Sequence, residues 1–314
     1  MRAYILYFII TIFLVACKAT PDSDRNYGAV TGKVYKLHVN PETRSQYYYE
    51  INNSSEMELE VDDKTTSTIN KAEVGVQYHI DKDSAGNVII TMMHDKIHLY
   101  SKTGDKEQDF RADNASVAIN PIEKMMIALK DAKVTAVINT SGEVQSISGY
   151  SEVGDKIINE MMIPDMETRN EAKKQWEQMI GERMIKKNME DLFRIFPDSA
   201  VHLGDTWRLT TKQPGEVNMI SKTTYTLKAI NDDIAMIKAE GIINDDKSSP
   251  GNAFNNVTID LNGKQQSEYE VETKTGMLLS CTITAKVEGT VQMMGREVPV
   301  LIKTKVKVSR RKVK

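Results

Sequence analysis

His94 and His98 are the first residues whose type and spacing could do chemistry. On a helix, two histidines four apart share a face and can hold one metal ion. The run Val88–Tyr100 alternates like a strand, however. There, residues four apart share a face about 13 Å apart, too far for one ion, so no metal is expected. Cys281 lies in the strand-like run Leu278-Leu279-Ser280-Cys281-Thr282-Ile283, with no histidine placed to act as its base. It reads as a small buried apolar residue, not a nucleophile. The chain contains no H-E-x-x-H, paired-cysteine motif, phosphate-binding loop, dinucleotide fingerprint or G-x-S-x-G. No catalytic residue, enzymatic activity or cofactor is therefore expected. Lys303, Lys305 and Lys307 fall on one strand face ahead of Arg310-Arg311-Lys312. This strip reads as a charged sheet edge that blocks aggregation, or as a contact for anionic lipid headgroups.

The body of the chain has ordinary globular proportions, with 27 % charged and 40 % hydrophobic residues over 314 positions. That is room for one large domain or two small ones. A formal net charge of −3 gives no sign of nucleic-acid binding. The 17 methionines include the pairs Met92–Met93, Met125–Met126, Met161–Met162 and Met293–Met294. Methionine fills irregular apolar space, and on a strand only one of each pair can face a core.

Residues 1–16 read as a signal peptide: Arg2, then an apolar run from Tyr4 to Val15 that is too short to span a bilayer as a helix. The run ends in Leu14-Val15-Ala16-Cys17, which resembles the lipobox of bacterial lipoproteins. The resemblance implies that Cys17 is lipidated and becomes the mature N-terminus. Loss of residues 1–16 removes Arg2 alone, giving −3 − 1 = −4 for the mature chain. Cys281 would then have no partner for a disulfide. Lys18, where an Asp would signal inner-membrane retention, points by resemblance to that sorting rule to the outer membrane, on the periplasmic or cell-surface side. Residues 17–32 are polar with Pro and Gly, which suits a tether.

Two β-rich regions follow, at 33–163 and 198–314, on either side of a helical stretch at 164–197. The expected class is α+β, mostly antiparallel β: two related β-meanders flanking a central long helix, half-barrel-like. In the first region, Tyr47–Ile51 and Met57–Val61 read as strands split by Asn52–Ser55. A hairpin joins Thr65–Ile80 to Val88–Tyr100, and a helix starts at Asn120-Pro121. Another hairpin turns on Thr140-Ser141-Gly142, and Ser151–Met162 reads as helix. In the second region Asn262-Gly263 is a hairpin signal, Lys274-Thr275-Gly276 marks a further turn, and a last hairpin surrounds Gly295. The order of elements suggests a duplication. Tyr48 and Trp207 open the two regions, and Gly142 and Gly276 mark corresponding turns.

The stretch 165–196 combines a Thr168/Glu171 capping box, good helix formers and a stop at Pro197. Ala172, Trp176, Met179, Ile180 and Met184 form one apolar stripe. Ile185, Met189, Leu192, Phe193 and Phe196 form a second, nearly opposite it. The changeover falls at Gly181. Either one helix kinks there and clamps the two β-regions, or two ordinary helices meet.

The segments ALKDAKVTAVINTSGEVQSISGY (128–150) and FPDSAVHLGDTWRLTTKQPGEVNMISKTTYTLKAI (196–230), together with the lipobox, resemble an uncharacterised family of Bacteroidetes-type lipoproteins with a domain of unknown function. That resemblance covers most of 40–290 and brings no activity with it. More loosely, a long meander with helices on one side is similar to the half-barrel of outer-membrane lipoprotein carriers. Asp83-Ser84-Ala85 and Asp198-Ser199-Ala200 resemble a D-S-A acceptor of periplasmic O-glycosylation.

The function these readings imply is a non-enzymatic, membrane-anchored module that binds a hydrophobic or lipid-like ligand. Trp176, Met179, Ile180, Met184 and Trp207 are the candidate lining residues. The alternative is a structural or protein-interaction lipoprotein with a filled core. The two differ in whether the concave face is open or filled by the protein's own side chains.

Overall fold

Period-two alternation runs through most of the chain, and the strands it produces join one antiparallel sheet. The computed structural model describes residues 32–112, 121–130, 132–160, 165–180, 182–213, 219–246, 259–293 and 296–311. The first arm holds β1 (Gln46–Val61), β2 (Lys64–Lys82), β3 (Val88–Thr103), β4 (Lys106–Arg111), β5 (Lys133–Ile138) and β6 (Val144–Ser148). The second holds β7 (Thr206–Gln213), β8 (Met219–Asn231), β9 (Ile234–Asp245), β10 (Ile259–Glu272), β11 (Leu278–Met293) and β12 (Arg296–Arg311). Strand order is β6-β5-β3-β2-β1-β12-β11-β10-β9-β8-β7, with β4 pairing β3 off this path. Each arm is a meander, and the arms meet where β1 pairs β12, from Tyr48↔Arg311 to Leu59↔Val300. The ladder between the first and last strands therefore couples the arms directly.

Among the described residues, four helices lie between β4 and β7: α1 (Pro121–Lys130), α2 (Tyr150–Glu160), α3 (Met166–Ile180) and α4 (Glu182–Phe193). The long central helix expected at 164–197 is not shown: the described residues of the stretch form two helices, α3 and α4, and Gly181 between them lies outside the described residues. The start of α3 is capped by Asp165, whose Oδ1 accepts from the Thr168 backbone N–H at 2.7 Å, and not by the Thr168/Glu171 box. An Asp at the N-cap satisfies an otherwise orphan donor and suits the positive end of the helix. The helix also ends earlier than Pro197. Phe193 is its last residue, and Ile195 and Phe196 follow as buried non-helical chain.

Three strand expectations are corrected. Asn52–Ser55 do not split a strand. They continue β1, because β2 and β12 pair with it without a register break. Asn262-Gly263 is not a hairpin turn but lies inside β10, paired with β9 and β11. A Cβ on Gly263 would overlap the Lys286 carbonyl, so glycine serves close backbone approach here. The basic strip of β12 is not a sheet edge, since β12 lies at the centre between β1 and β11.

The sheet is strongly curled. Phe193 packs its ring 6.1 Å from Tyr78 on β2. Two residues on, the Ile195 carbonyl accepts from Trp207 Nε1 on β7 at 3.0 Å. β2 and β7 are seven strand spacings apart in the sheet, about 34 Å if it were flat. Two adjacent turns of chain can touch both only if the sheet wraps around them. It stays open, because β6 and β7 are edges that do not pair with each other. The end of α4 and residues 194–196 lie in that seam. On the β6 side, Glu190 accepts the Val144 backbone N–H at 3.2 Å.

Two turns seat the chain at the end of the sheet. Residues leading into β7 sit on the Gly142 turn, where a Cβ would overlap the Phe193 carbonyl. Residues leading into β1 sit on the Gly276 turn, where a Cβ would overlap the His38 carbonyl. Both glycines have positive φ, 83° and 65°. Residues 35–40 strap the two turns together: Val39 donates to Thr140 O at 2.9 Å, Asn40 to Thr275 O at 2.8 Å, and Tyr35 bridges Val201.

Candidate functional site

The sheet presents two unlike faces. Outward positions on β1 and β9–β12 carry ion pairs such as Lys303–Glu58 at 3.0 Å, Lys238–Glu268 at 2.8 Å and Lys286–Glu288 at 2.7 Å. Exposed pairs of this kind contribute little stability. Their presence does, however, distinguish this face from the apolar band of a lipid-facing strand.

The inward face divides into apolar clusters. The largest is filled by the protein itself. Met189 and Phe193 of α4, with Ile195 and Phe196, pack among Tyr49, Tyr78, Tyr225 and Leu227. Lys187 and Asp191 enter this region as a buried ion pair at 2.6 Å. A smaller cluster lies under α1, around Leu99, Phe110 and Met126. The remaining cluster is built from strands alone: Met57, Met219, Ile243, Leu261, Val287, Val300 and Ile302, with Ala285 at its border.

Between the filled cluster and the strand-only cluster runs a row of polar residues. Neighbouring strands hold it in register: Ser101↔Asn70 on β3 and β2, Asn70↔Ser55 on β2 and β1, and Ser55↔Thr304 on β1 and β12. It continues through Ala285 of β11 and Gln265 of β10, past Gly241 of β9, to Thr223 of β8. Gln265 Nε2 donates to Ser267 Oγ at 3.3 Å, and Ser221 Oγ meets Thr223 Oγ1 at 3.1 Å. Ser55 Oγ, Thr304 Oγ1, Gln265 Oε1 and, one pleat further on β7, Thr211 Oγ1 have no hydrogen-bond partner among the described residues. Their residues are only 2 %, 5 %, 2 % and 0 % exposed. An unsatisfied buried polar group costs about 1–3 kcal/mol, so a row of them in an otherwise apolar interior is unusual.

The residues singled out from the sequence lie elsewhere. The side chains of Trp176, Met179, Ile180 and Met184 fall outside the described ones, as do Cys17 and Gly181. Trp207 is half-buried, stacked on Tyr225 at 5.7 Å and tied to the Ile195 carbonyl in the seam. His94 and His98 do not share a face. A bulge at Asp95, opposite Gly75/Val76, shifts the alternation between them. His94 continues the inward series of Ile90 and Met92. His98 points outward to Asp109 at 2.9 Å and Glu73 at 3.7 Å. The Arg111 side chain beside Asp109, and the Lys96 ammonium beside Glu73, hold both carboxyls below their usual range. Burial pushes the His94 pKa down. No group of three or more metal-type side chains occurs among the described residues. Ser84 is exposed on the β2–β3 loop, whose Asp83 carboxylate is occupied by the Ala85 and Asn87 backbone N–H groups, each at 2.9 Å.

Cys281 is buried and free. Burial pushes its thiol up to about 12. At pH 8 its thiolate fraction then falls about a thousandfold below that of an ordinary cysteine. In a Cys17→Ser chain, iodoacetamide is expected to leave Cys281 unmodified in buffer and to label it fully in denaturing urea. Rapid native labelling would show that β11 does not face the core there.

Residues 85–278 match the model of a family of unknown function, DUF6263. The chain belongs to this family. The DUF6263 span runs from the β2–β3 loop to the first residue of β11, taking in all the described helices and the seam. The central strands β2, β1 and β12 lie outside it, as does β11 beyond Leu278. No curated protein matches the chain. Among solved structures, OccK5 (OpdH) of Pseudomonas aeruginosa matches at 8 % identity over 87 % of this chain and 100 % of that one, with a TM-score of 0.21. A likeness that low carries no argument about either fold or function. No helix among the described residues is long and apolar enough to cross a membrane.

Proposed function

We propose that this DUF6263 protein is a non-enzymatic, lipid-anchored module of the outer membrane that holds a hydrophobic or lipid-like ligand inside its curled, half-barrel sheet. The observation that carries this reading is the strand-only cluster around Met57, Met219, Ile243 and Ile302. Helix α4 plugs the other end of the interior, whereas no described helix residue packs here. Concave apolar surfaces with a few polar groups are the usual form of small-molecule sites. Met57 and Met219 can re-pack around a guest chain. The anchor is Cys17, at the end of the lipobox. The matched seating of the Gly142 and Gly276 turns supports a duplication as the origin of the two arms.

The test is mass spectrometry of the protein taken from the membrane fraction. The denatured mass should carry a diacylglyceryl modification lost in Cys17→Ser. The native mass should carry a further non-covalent adduct that organic extraction removes. A protein with the anchor but no adduct, captured at native mass under gentle release, would favour a structural or protein-interaction lipoprotein with a filled core. A wild-type mass without lipid on Cys17 would remove the anchor.

A further inference from the structure

Ser55 Oγ, Thr304 Oγ1, Gln265 Oε1 and Thr211 Oγ1 are buried on the inner face without partners. A hydroxyl or amide oxygen in that position weakens the fold, and an alanine, valine or leucine of similar shape would not. Natural chains accept such local costs chiefly where a site needs them. Their arrangement is also that of a site. Ser55 and Thr304 are directly opposed on β1 and β12, with Cα atoms about 5 Å apart. Gln265 lies two strands beyond Thr304, across Ala285. The two non-polar positions in the row are Ala285 and Gly241, and the absent side chain of Gly241 lets the Thr223 hydroxyl lie over the β9 backbone, 2.6 Å from where a Cβ would stand.

We infer that this row is a headgroup subsite: it receives the neutral, hydroxyl- or amide-bearing head of an amphiphile whose acyl chain lies on the strand-only apolar cluster. The inference rests on the ligand-binding function proposed above and gives that ligand its chemistry. The head is neutral because the row holds no charged side chain, and an anion or cation buried without a counter-charge is strongly disfavoured. The head must donate at least one hydrogen bond, because Gln265 Oε1 only accepts; one of the two Gln265 Nε2–H groups is given to Ser267. Hydroxyls on Ser55 and Thr304 can donate or accept, which suits a polyol. The acyl chain follows from direction. Met57, Ile302 and Val287 are each two residues along their strands from Ser55, Thr304 and Ala285, on the same face, and all belong to the strand-only cluster.

The experiment titrates the full-length protein in phosphatidylcholine nanodiscs with monooleoylglycerol, oleate, monooleoyl phosphatidate or maltotriose, and counts adducts by native mass spectrometry. Monooleoylglycerol is expected to bind. Oleate and monooleoyl phosphatidate, which share its chain but carry charge, should bind at least about tenfold more weakly. Thr304→Val and Gln265→Leu should each weaken monooleoylglycerol about tenfold, the scale of one lost hydrogen bond. They should also raise the melting temperature of the unliganded protein, because each removes an unpaired polar atom. If Thr304→Val does not fold, Ser55→Ala removes the facing hydroxyl with the loss of one atom and carries the same expectation. Unchanged monooleoylglycerol affinity in these variants overturns the headgroup subsite while leaving a lipid-like ligand in place. So does tighter binding of either charged amphiphile. Failure of all three amphiphiles to bind the wild type overturns the ligand-binding function and the subsite together. Maltotriose bound in place of monooleoylglycerol also overturns the proposal, since a soluble glycan makes no use of the apolar cluster.

Discussion

Phe193→Ala is expected to lower the unfolding free energy by about 3–5 kcal/mol, the range for deleting a buried aromatic side chain. Phe193 is 1 % exposed, packs against Tyr78 at 6.1 Å and ends the helix that lies in the seam of the sheet. Its loss opens a cavity that the surrounding strands can fill only by closing the curl, and they are held apart by Met189, Ile195 and Phe196. Urea unfolding of a chain that lacks the lipid anchor, followed by tryptophan fluorescence, gives the number. Trp207 reports the seam directly, through its bond to the Ile195 carbonyl. A loss under about 0.5 kcal/mol, which is typical of surface positions, would mean that α4 does not plug the sheet. Because the arms share the β1–β12 ladder, unfolding should remain a single transition in both proteins.

Gly276→Ala and Gly142→Ala form the second pair, each expected to cost about 2–5 kcal/mol. Part of that is the left-handed backbone, about 1–2 kcal/mol for a residue with a Cβ. The rest is overlap with a backbone carbonyl, that of His38 at one turn and Phe193 at the other; overpacking of this kind typically costs about 1–3 kcal/mol. A carbonyl in a seated chain cannot swing aside as a flexible side chain would. The two losses should be similar if the turns are equivalent parts of the two arms. Gly86 is the control. Its φ is also positive, 84°, but a Cβ added there would meet nothing within 4 Å. Gly86→Ala should therefore show the backbone cost alone. Equal losses at all three positions would show that neither turn seats a chain.

Much of the architecture is legible in the chain itself. Alternation from Thr65 to Tyr100 and from Met219 to Ile243 needs only a pleated strand with one face against a core, and the strands appear there. Pro121 and the turn glycines Gly142 and Gly276 act through their own backbone chemistry, so their roles can be read locally. The errors share a cause. Asn262-Gly263 has the composition of a turn, and Asn52–Ser55 that of a loop, yet both are drawn into strands by ladders on two sides. The Asp95 bulge reverses the face of His98 through one extra residue opposite Gly75/Val76, which no count along β3 alone reveals.

Sequence by itself determines strand character and which side of a strand is apolar, as along β12 at Thr304, because side-chain alternation depends on neighbours within the strand; Ser55, in a stretch that reads as loop, and Gln265, beside an expected turn, are placed inward by their ladders. Only the tertiary structure decides that these residues stand side by side. Register between strands is set by pairing partners up to about 250 residues away, and a shift of one residue would turn each of them to solvent. The curl that buries the row, and the placing of α4 in the seam so that one end of the interior is filled and the other is lined by strands alone, likewise arise from packing among distant elements and not from any local pattern.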